Sequence, residues 1–280
     1  MRAAIAFLTT LPFAVAPRVA SADATPPPSD AECRPLPPIR MPLSFVTGET
    51  LEYELDAMGI AQAGRLTTRV LPLREGKLPV EVKAQTNTLF SKVRRVNGVA
   101  TTFLDSQTLH PVRYVEDATE NEVRKYAAVS FSPKDRRVSV EYKLGNRGGQ
   151  NQFHSAADAL DVTATVYLMR QLPLKQGVIL CFDVYGVRRL WRLSAKVEAR
   201  EHISLAIGEF EAWHVSGTAV RLDDYRQRRE VHLWISDDQR RLPLALLGAI
   251  DLGAVRARLI AFSRPGDKKV RAQGKESLKW

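Results

Sequence analysis

The chain has 280 residues, of which 45% are hydrophobic and 26% are charged, and its formal net charge is +10. This composition excludes an intrinsically disordered chain, because such chains combine few apolar residues with a high net charge. After residue 24 no segment approaches the roughly 18 consecutive apolar residues of a membrane span. We therefore expect no transmembrane span in the mature chain.

The first 24 residues predict a signal peptide. Arg2 supplies a short positive segment, and an apolar stretch from Ala3 to Ala16 follows it. The A-x-A pattern that signal peptidase reads occurs twice, so cleavage is expected after Ala22 or Ala24, and we favour Ala24. This predicts a periplasmic or secreted protein.

The mature chain is expected to keep a strong positive charge. Residues 1–24 contain two arginines and one aspartate, so their removal changes the net charge from +10 to +9. Such a charge favours partners such as anionic lipid head groups or an acidic envelope polymer. The compartment disfavours nucleic acid. The alternative is a surplus of solvated basic residues without a specific partner.

Composition divides the mature chain into three parts. Residues 25–42 contain seven prolines and predict an extended, Pro-rich arm. Residues 43–263 predict a single β-rich domain. Residues 264–280 are polar and basic, which is typical of a flexible tail.

Cys33 and Cys181 are the two cysteines of the chain. In an oxidising compartment they are candidates for one long-range disulfide that ties the arm to the body. Two free thiols are the alternative, because the sequence does not show whether the two residues lie close together.

Period-two alternation predicts half-buried antiparallel strands through most of the chain. Leu51, Tyr53 and Leu55 alternate with acidic residues, and a similar pattern runs from Val138 to Leu144. The fold expected is mainly β: one large curved antiparallel sheet or incomplete barrel, with a single central amphipathic helix.

Two local features are predicted within this plan. Asn97 and Gly98 lie between two strand-like runs and predict a tight hairpin turn. The segment 155–171 lacks Gly and Pro and has apolar residues at helical spacing, so it predicts the helix, with Ser155 or Asp158 as its N-cap and Pro173 beyond its end.

The sequence offers no recognised catalytic, metal or cofactor motif. None of the five histidines has a short metal-ligand spacing, and no nucleophile elbow, Walker loop or dinucleotide fingerprint is present. A turn near Asp224 pairs His232 with about position 217, which places His214 and His232 on opposite faces of the sheet. We predict no catalytic residue, no metal site and no cofactor.

Three carboxylates are candidates for the two members of an acid/base pair. Asp158 and Asp161 lie three residues apart on the predicted helix, and Asp237 lies at the end of a strand. Capping and turn formation are the simpler roles for these residues.

Two further groups are candidate binding residues. Guanidinium groups suit phosphate and carboxylate, so four arginines are candidate anion contacts, although charge at turns and sheet edges also prevents aggregation. These arginines are Arg188, Arg189, Arg228 and Arg229. Four apolar residues near the helix could line a pocket for an acyl chain or simply form core. They are Phe153, Leu160, Tyr167 and Leu168.

The order of several short motifs resembles a bacterial exported family, domain of unknown function 3108. The motifs are Phe45, Gly48-Glu49, Leu51, Tyr53, Gly59 and Ala63-Gly64, then His110-Pro111 with Tyr114, Asp158-Ala159-Leu160, Tyr167, Arg170, Pro173-Leu174 and Gly177, and finally Leu233-Trp234, Ser236-Asp237 and Leu242-Pro243-Leu244. The resemblance runs from about Phe45 to Leu259, with Asp161 at a position where a Ser is expected. It implies an envelope protein with a curved β-rich fold and transfers no catalytic residue.

The function predicted is a non-enzymatic periplasmic or envelope protein that binds a hydrophobic or anionic, lipid-like envelope component. The alternative is a structural or protein-interaction module of the envelope, which a filled interior together with an exposed apolar patch on the outside would favour. A hydrolase of cell-wall or glycan substrates is the third reading, and it requires two carboxylates that converge in a cleft.

Overall fold

The computed structural model describes residues 26–29, 32–155, 158–250 and 253–272, without the side chains of 249 and 250. The predicted signal peptide and the last eight residues of the predicted tail lie outside these ranges. The strands in chain order are β1 (Thr50–Ala57), β2 (Ile60–Val70), β3 (Lys77–Thr86), β4 (Val96–Asp105), β5 (Pro111–Glu120), β6 (Val123–Ser132), β7 (Arg137–Leu144), β8 (Arg147–His154), β9 (Ala159–Asp161), β10 (Ile179–Gly186), β11 (Arg189–Leu205), β12 (Gly208–Arg221), β13 (Arg228–Ser236), β14 (Pro243–Ile250), β15 (Gly253–Ser263) and β16 (Val270–Arg271).

These strands form one sheet built from two meanders. The first runs from β1 out to β8, and the second runs from β10 back to β15, which pairs with β1. Every pairing is antiparallel except the parallel pair of β9 and β10. The sheet ends at β8 on one side and at β9 on the other, and β16 pairs with β15.

The sheet is strongly curved around a short helix, α1 (Val162–Met169). Leu160, Tyr167 and Leu168 pack inside the main apolar cluster, which also takes residues from β2, β3, β4 and β10 to β13. A second cluster joins β6 and β7 to Tyr185 and Leu190, so the two ends of the sheet pack face to face. The predicted fold class, one large open antiparallel sheet with a single helix, is confirmed.

The helix is shorter than the predicted segment 155–171, and its start was wrong. Asp161 is the N-cap, and its Oδ1 accepts a hydrogen bond from the backbone N of Ala164 at 3.0 Å. The residues before it belong to β9, because they pair with β10. Ser155 and Asp158 do not cap it, since the Ser155 hydroxyl donates to Asp183 and Asp158 pairs with His110.

The hairpin turn predicted at Asn97 and Gly98 was also wrong, because both residues lie inside β4. Gly98 is needed for close packing instead: a Cβ there would lie 2.5 Å from the Cβ of Ala118 on the neighbouring strand. The connection from β3 to β4 contains a short 3₁₀ turn that starts at Phe90, whose side chain is buried and whose N–H donates to Asn87.

The residues that precede β1 pack against the domain. Leu36, Ile39 and Leu43 contact the main apolar cluster. The backbone N of Arg40 donates to the carbonyl of Gln171 at 2.9 Å. Cys33 is joined to Cys181 by a disulfide, with Cα atoms 4.9 Å apart. This segment therefore covers one side of the helix and the start of β10.

A buried ion pair connects four parts of the chain. The Glu49 and Arg170 side chains are fully buried and form a two-pronged contact, with nitrogen to oxygen distances of 2.6 and 3.2 Å. Arg264 donates to the same carboxylate at 3.0 Å, and Arg170 also donates to the carbonyls of Arg241 and Arg240. The start of β1, the end of α1, the β13–β14 turn and the end of β15 therefore meet at this ion pair.

The guanidinium groups at this junction also contact aromatic rings and backbone carbonyls near the end of the helix. Arg170 lies over the rings of Phe45 and Tyr167, at 4.9 and 5.2 Å from their centroids. Arg241 donates to the carbonyls of Arg170 and Leu172, which follow the last helical turn and lack helical partners. Desolvation by burial lowers the pKa of Arg241 to about 10.

In the part of the chain that the structure describes, no helix has the length and apolar character needed to cross a membrane.

We expect Glu49→Gln to lower the free energy of unfolding by about 3–5 kcal/mol, because Arg170 and Arg264 would then face a neutral amide in a buried site. The matched control is Glu52→Gln, which removes a partner of the half-exposed Lys269 and should cost less than about 1 kcal/mol. Urea unfolding monitored by circular dichroism measures both. Equal losses for the two variants would contradict the central role of Glu49.

The double variant Cys33→Ser, Cys181→Ser is expected to unfold about 5 kcal/mol more easily, because a link across 148 residues removes chain entropy from the unfolded state. Reductant should destabilise the native protein to a similar extent and leave the double variant unchanged. If the protein with its original sequence is unfolded without reductant and two free thiols are then alkylated, the link is absent.

Candidate functional site

A cleft of about 200 Å³ lies where four segments meet. Cys33 and Pro35 form one wall, the start of β5 and the β6–β7 turn form the others, and Asp158 lies at the entrance to β9. The disulfide holds Cys33 against β10. Two motifs of the family resemblance, His110-Pro111 and Asp158-Ala159, thus meet in one place.

An ion pair of His110 and Asp158 is part of the lining of this cleft. The Nε2 of His110 is 3.4 Å from Oδ1 of Asp158, and the other carboxylate oxygen accepts a hydrogen bond from the backbone N of Leu36 at 2.9 Å. Each group favours the charged form of the other. The Asp158 carboxylate raises the pKa of His110, and His110 lowers the pKa of Asp158.

The lining of the cleft combines positive charge with apolar surface. Arg136 and Arg137 join His110, so the lining has three basic residues and one acidic residue, Asp158. Arg137 also pairs with Asp135 across 3.7 Å. Pro35, Pro111, Phe131 and Pro133 supply the apolar part. This arrangement suits a small anionic group that has an apolar neighbour.

A second buried ion pair fixes the wall that carries the disulfide. Arg192 contacts both carboxylate oxygens of Asp183, at 2.9 and 3.2 Å, and also donates to the carbonyl of Pro28 at 2.7 Å. Ser155 donates to Asp183 at 3.1 Å. The residues flanking Cys33 and those leading to Asp158 are therefore tied to the same strands.

The three carboxylates considered for acid/base chemistry have separate partners. Asp158 pairs with His110, Asp161 caps α1 and accepts a hydrogen bond from Thr102, and Asp237 accepts one from Trp213 and pairs with Arg200. Among these contacts, no two of the three carboxylates share a partner. Asp161 caps the helix as a Ser would, so its difference from the family pattern preserves the cap.

His214 and His232 lie on the same face of the sheet, so the prediction of opposite faces was wrong. His232 pairs with Ser216 rather than with position 217, a shift of one residue. The Nε2 of His214 is 2.8 Å from Nδ1 of His232. Matching buried Val215 with buried Leu233 across the two strands would have given the correct register.

This histidine pair belongs to a longer polar chain. Glu201 lies 2.7 Å from Nδ1 of His214, and Glu230 lies 3.0 Å from Nε2 of His232. The indole of Trp234 stacks on His214 and donates to Glu201. Within the described ranges, no group of three or more His, Cys, Asp or Glu residues is arranged to hold a metal ion.

The four candidate anion contacts lie at one end of strands β10 to β13. Arg188 lies in the β10–β11 turn, and Arg189 pairs with Asp223 across 3.3 Å. Arg228 begins β13, and the guanidinium of Arg229 lies 4.9 Å from the ring centroid of Trp191. None of them lines the cleft at His110.

The four candidate pocket residues lie in two different places. Leu160, Tyr167 and Leu168 are almost fully buried in the main apolar cluster, and Phe153 packs on the cluster that joins the two ends of the sheet. None of the four lines the cleft at His110 or the second cleft, of about 390 Å³, on the outer face of β5 to β8.

We expect Asp161 to make stability fall as pH rises. Burial raises its pKa to about 6, so the folded state favours the neutral acid, and stability is lost between about pH 4 and pH 6. Asp161→Asn keeps the cap and removes the buried charge. It should abolish that loss and raise stability above pH 6 by up to about 3 kcal/mol.

Asp158→Asn is the matched control for this measurement, because the pKa of Asp158 is lowered by His110 and its substitution should destabilise the protein at neutral pH. Urea unfolding at a series of pH values separates the two cases. A pH slope in Asp161→Asn equal to that of the native protein would show that Asp161 is not the responsible group.

Comparison with solved structures agrees with this architecture. A β-barrel-like protein of domain of unknown function DUF1849 from Brucella abortus aligns with a TM-score of 0.54 at 9% identity, over 78% of this chain and 98% of that one. A protein from Bacteroides fragilis, described as exported with a YmcC-like fold, aligns over 81% of this chain and 100% of its own at 9% identity, but its TM-score of 0.32 is too low to support a shared fold.

No curated protein matches the sequence. A family model described as a protein of unknown function, DUF3108, matches residues 52–260, which is well over half of the chain. The match includes His110 and Asp158 of the cleft and Arg170 of the buried ion pair. The chain therefore belongs to the DUF3108 family.

Proposed function

We propose that this protein acts outside the cytoplasm as a non-enzymatic module that binds an anionic envelope component, with the anionic group held in the cleft at His110. The observation that carries this proposal is the charge of the cleft, whose lining has three basic residues, His110, Arg136 and Arg137, and one acidic residue, Asp158. Arg137 also pairs with the exposed Asp135 across 3.7 Å. Guanidinium and imidazolium groups suit phosphate and carboxylate.

The size of the cleft favours a head group over a whole lipid. A pocket that encloses a drug-sized ligand has about 300–1,000 Å³, whereas this cleft has about 200 Å³. Leu160, Tyr167 and Leu168 are packed in the main apolar cluster and do not line this cleft. The prolines and Phe131 of the lining would contact the first part of an acyl chain or the apolar face of a sugar.

Export is part of the same proposal. The predicted signal peptide and the disulfide between Cys33 and Cys181 both fit an oxidising compartment. The positive net charge would bring the mature chain to anionic surfaces there, because long-range attraction raises the local concentration of oppositely charged partners.

The second candidate function is a structural or protein-interaction module of the envelope. The packing of the helix region supports this alternative, because Leu160, Tyr167 and Leu168 are buried in the main apolar cluster and line neither described cleft. Recognition would then use the outer surfaces of the domain. Hydrolysis of cell-wall or glycan substrates has less support, because Asp158, Asp161 and Asp237 each have a different structural partner.

The test is co-sedimentation of the mature chain, residues 25–280, with phosphatidylcholine vesicles that contain phosphatidylglycerol, at about pH 6, where histidine is readily protonated. We expect binding that depends on phosphatidylglycerol. His110→Gln with Arg137→Gln should weaken it by at least about tenfold, because each basic residue near an anionic surface contributes about 1 kcal/mol.

Arg188→Gln with Arg189→Gln is the matched control, because it removes two charges from the other end of β10 and β11. It should reduce binding much less than the cleft variant. A larger loss in this control would move the anion contact to those arginines. Equal binding to pure phosphatidylcholine would reject an anionic ligand and favour the protein-interaction alternative.

A further inference from the structure

Strand β8 (Arg147–His154) is an end strand of the sheet. It pairs with β7 along all eight of its residues, without a bulge or a shift in register. In the part of the chain that the structure describes, no other strand pairs with it. A straight strand of this length offers a continuous row of backbone donors and acceptors on its open side.

The register identifies the residues that face the open side. The backbone N of Ser155 donates to the carbonyl of Arg136 at 2.8 Å, directly beyond the pairing of His154 with Arg137. Hydrogen-bonded pairs alternate along an antiparallel ladder, so the odd-numbered residues of β8 bond to β7. The residues with outward N–H and C=O groups are Gly148, Gln150, Gln152 and His154.

This edge lacks most of the residue types that prevent two sheet edges from pairing. β8 contains no Lys, Pro, Asp or Glu, and the six residues between Arg147 and His154 are uncharged. The opposite edge is different, because β9 has only three residues and the backbone N of Leu36 donates to Asp158 immediately before it. Within the described ranges, one end of the sheet is therefore a short strand with another chain segment beside it, and the other end is a long strand with an unpaired side.

We propose that β8 is a self-association edge, which pairs antiparallel with β8 of a second copy of this chain around a twofold axis at Asn151. Gln150 then lies opposite Gln152 of the partner subunit, and Gly148 lies opposite His154 of the partner subunit. All four outward residues of each copy form hydrogen-bonded pairs, amide side chains meet across the axis, and no two like charges are directly opposite.

The charge pattern selects a second copy as the occupant of this edge. A neutral strand has no preference for an acidic or basic peptide, whereas its Gln and Asn side chains both donate and accept hydrogen bonds and so complement themselves. A register centred on Gln150 is inferior, because it would place His154 opposite Asn146 of the partner subunit, outside the strand. The proposal is independent of the cleft at His110.

Cysteine cross-linking tests the predicted axis. Asn151 would meet its symmetry mate in a non-hydrogen-bonded pair, with Cα atoms about 4.5 Å apart, which suits a disulfide. Mature Asn151→Cys should therefore form a disulfide-linked dimer on oxidation. Glu141→Cys on β7 is the control and should stay monomeric, since Glu141 is also exposed but lies one strand away from the edge.

Native mass spectrometry of the uncross-linked mature protein gives the second readout. We expect a dimer whose dissociation constant rises by about tenfold or more in Gln150→Lys with Gln152→Lys, because these substitutions place ammonium groups opposite one another. The control variant, Ser130→Lys with Ser139→Lys, adds the same charge to β6 and β7 on the same face and should leave the dimer intact.

Two results would overturn the proposal. One is a monomer at concentrations of tens of micromolar, with Asn151→Cys no more cross-linked than Glu141→Cys. The other is a dimer that the β8 lysines and the control lysines weaken equally. Circular dichroism of each variant, compared with the native protein, separates a lost interface from a lost fold.

Discussion

The Glu49 carboxylate is the group on which the packing of this sheet around its helix depends. It lies at the entrance to the first strand and is held by Arg170 after the helix and by Arg264 after the last long strand. A buried carboxylate is unfavourable unless all of its charged partners are in place. These segments can therefore be buried only together. The helix inside the sheet is consequently tied to both meanders, and Arg241 satisfies the carbonyls at its end.

The overall plan of strands and one helix followed from period-two and helical spacing, because these patterns report directly which face of an element is buried. Its local errors came from tertiary context. Asn97 and Gly98 have turn chemistry, yet Gly98 lies within a strand because Ala118 leaves no room for a side chain. The helix begins only at Asp161, because Ala159–Asp161 pair with β10. A local sequence pattern does not show that pairing, since β10 lies beyond the helix.

The candidate site was predictable only in part. His110 and Asp158 belonged to motifs that the family resemblance picked out, but 48 residues separate them and the sequence contained no sign that they meet. The pair of His214 and His232 was missed through one residue of register, since side chains change face at every step along a strand. Which polar side chains meet in a curved sheet depends on the register of its strands. That register depends on which apolar residues match across neighbouring strands.

The sheet also constrains the order in which the chain can acquire its structure. β1 is completed by β15, and the pairing of Thr50 with Ser263 joins residues 213 positions apart. Contacts of such long range form slowly, because a large loop must close before they yield any stabilisation. Each meander can assemble locally as its hairpins emerge, but the seam between them requires nearly the whole chain. Until that seam closes, β1 and β15 each have one unpaired side, and this intermediate is the state most exposed to misassembly.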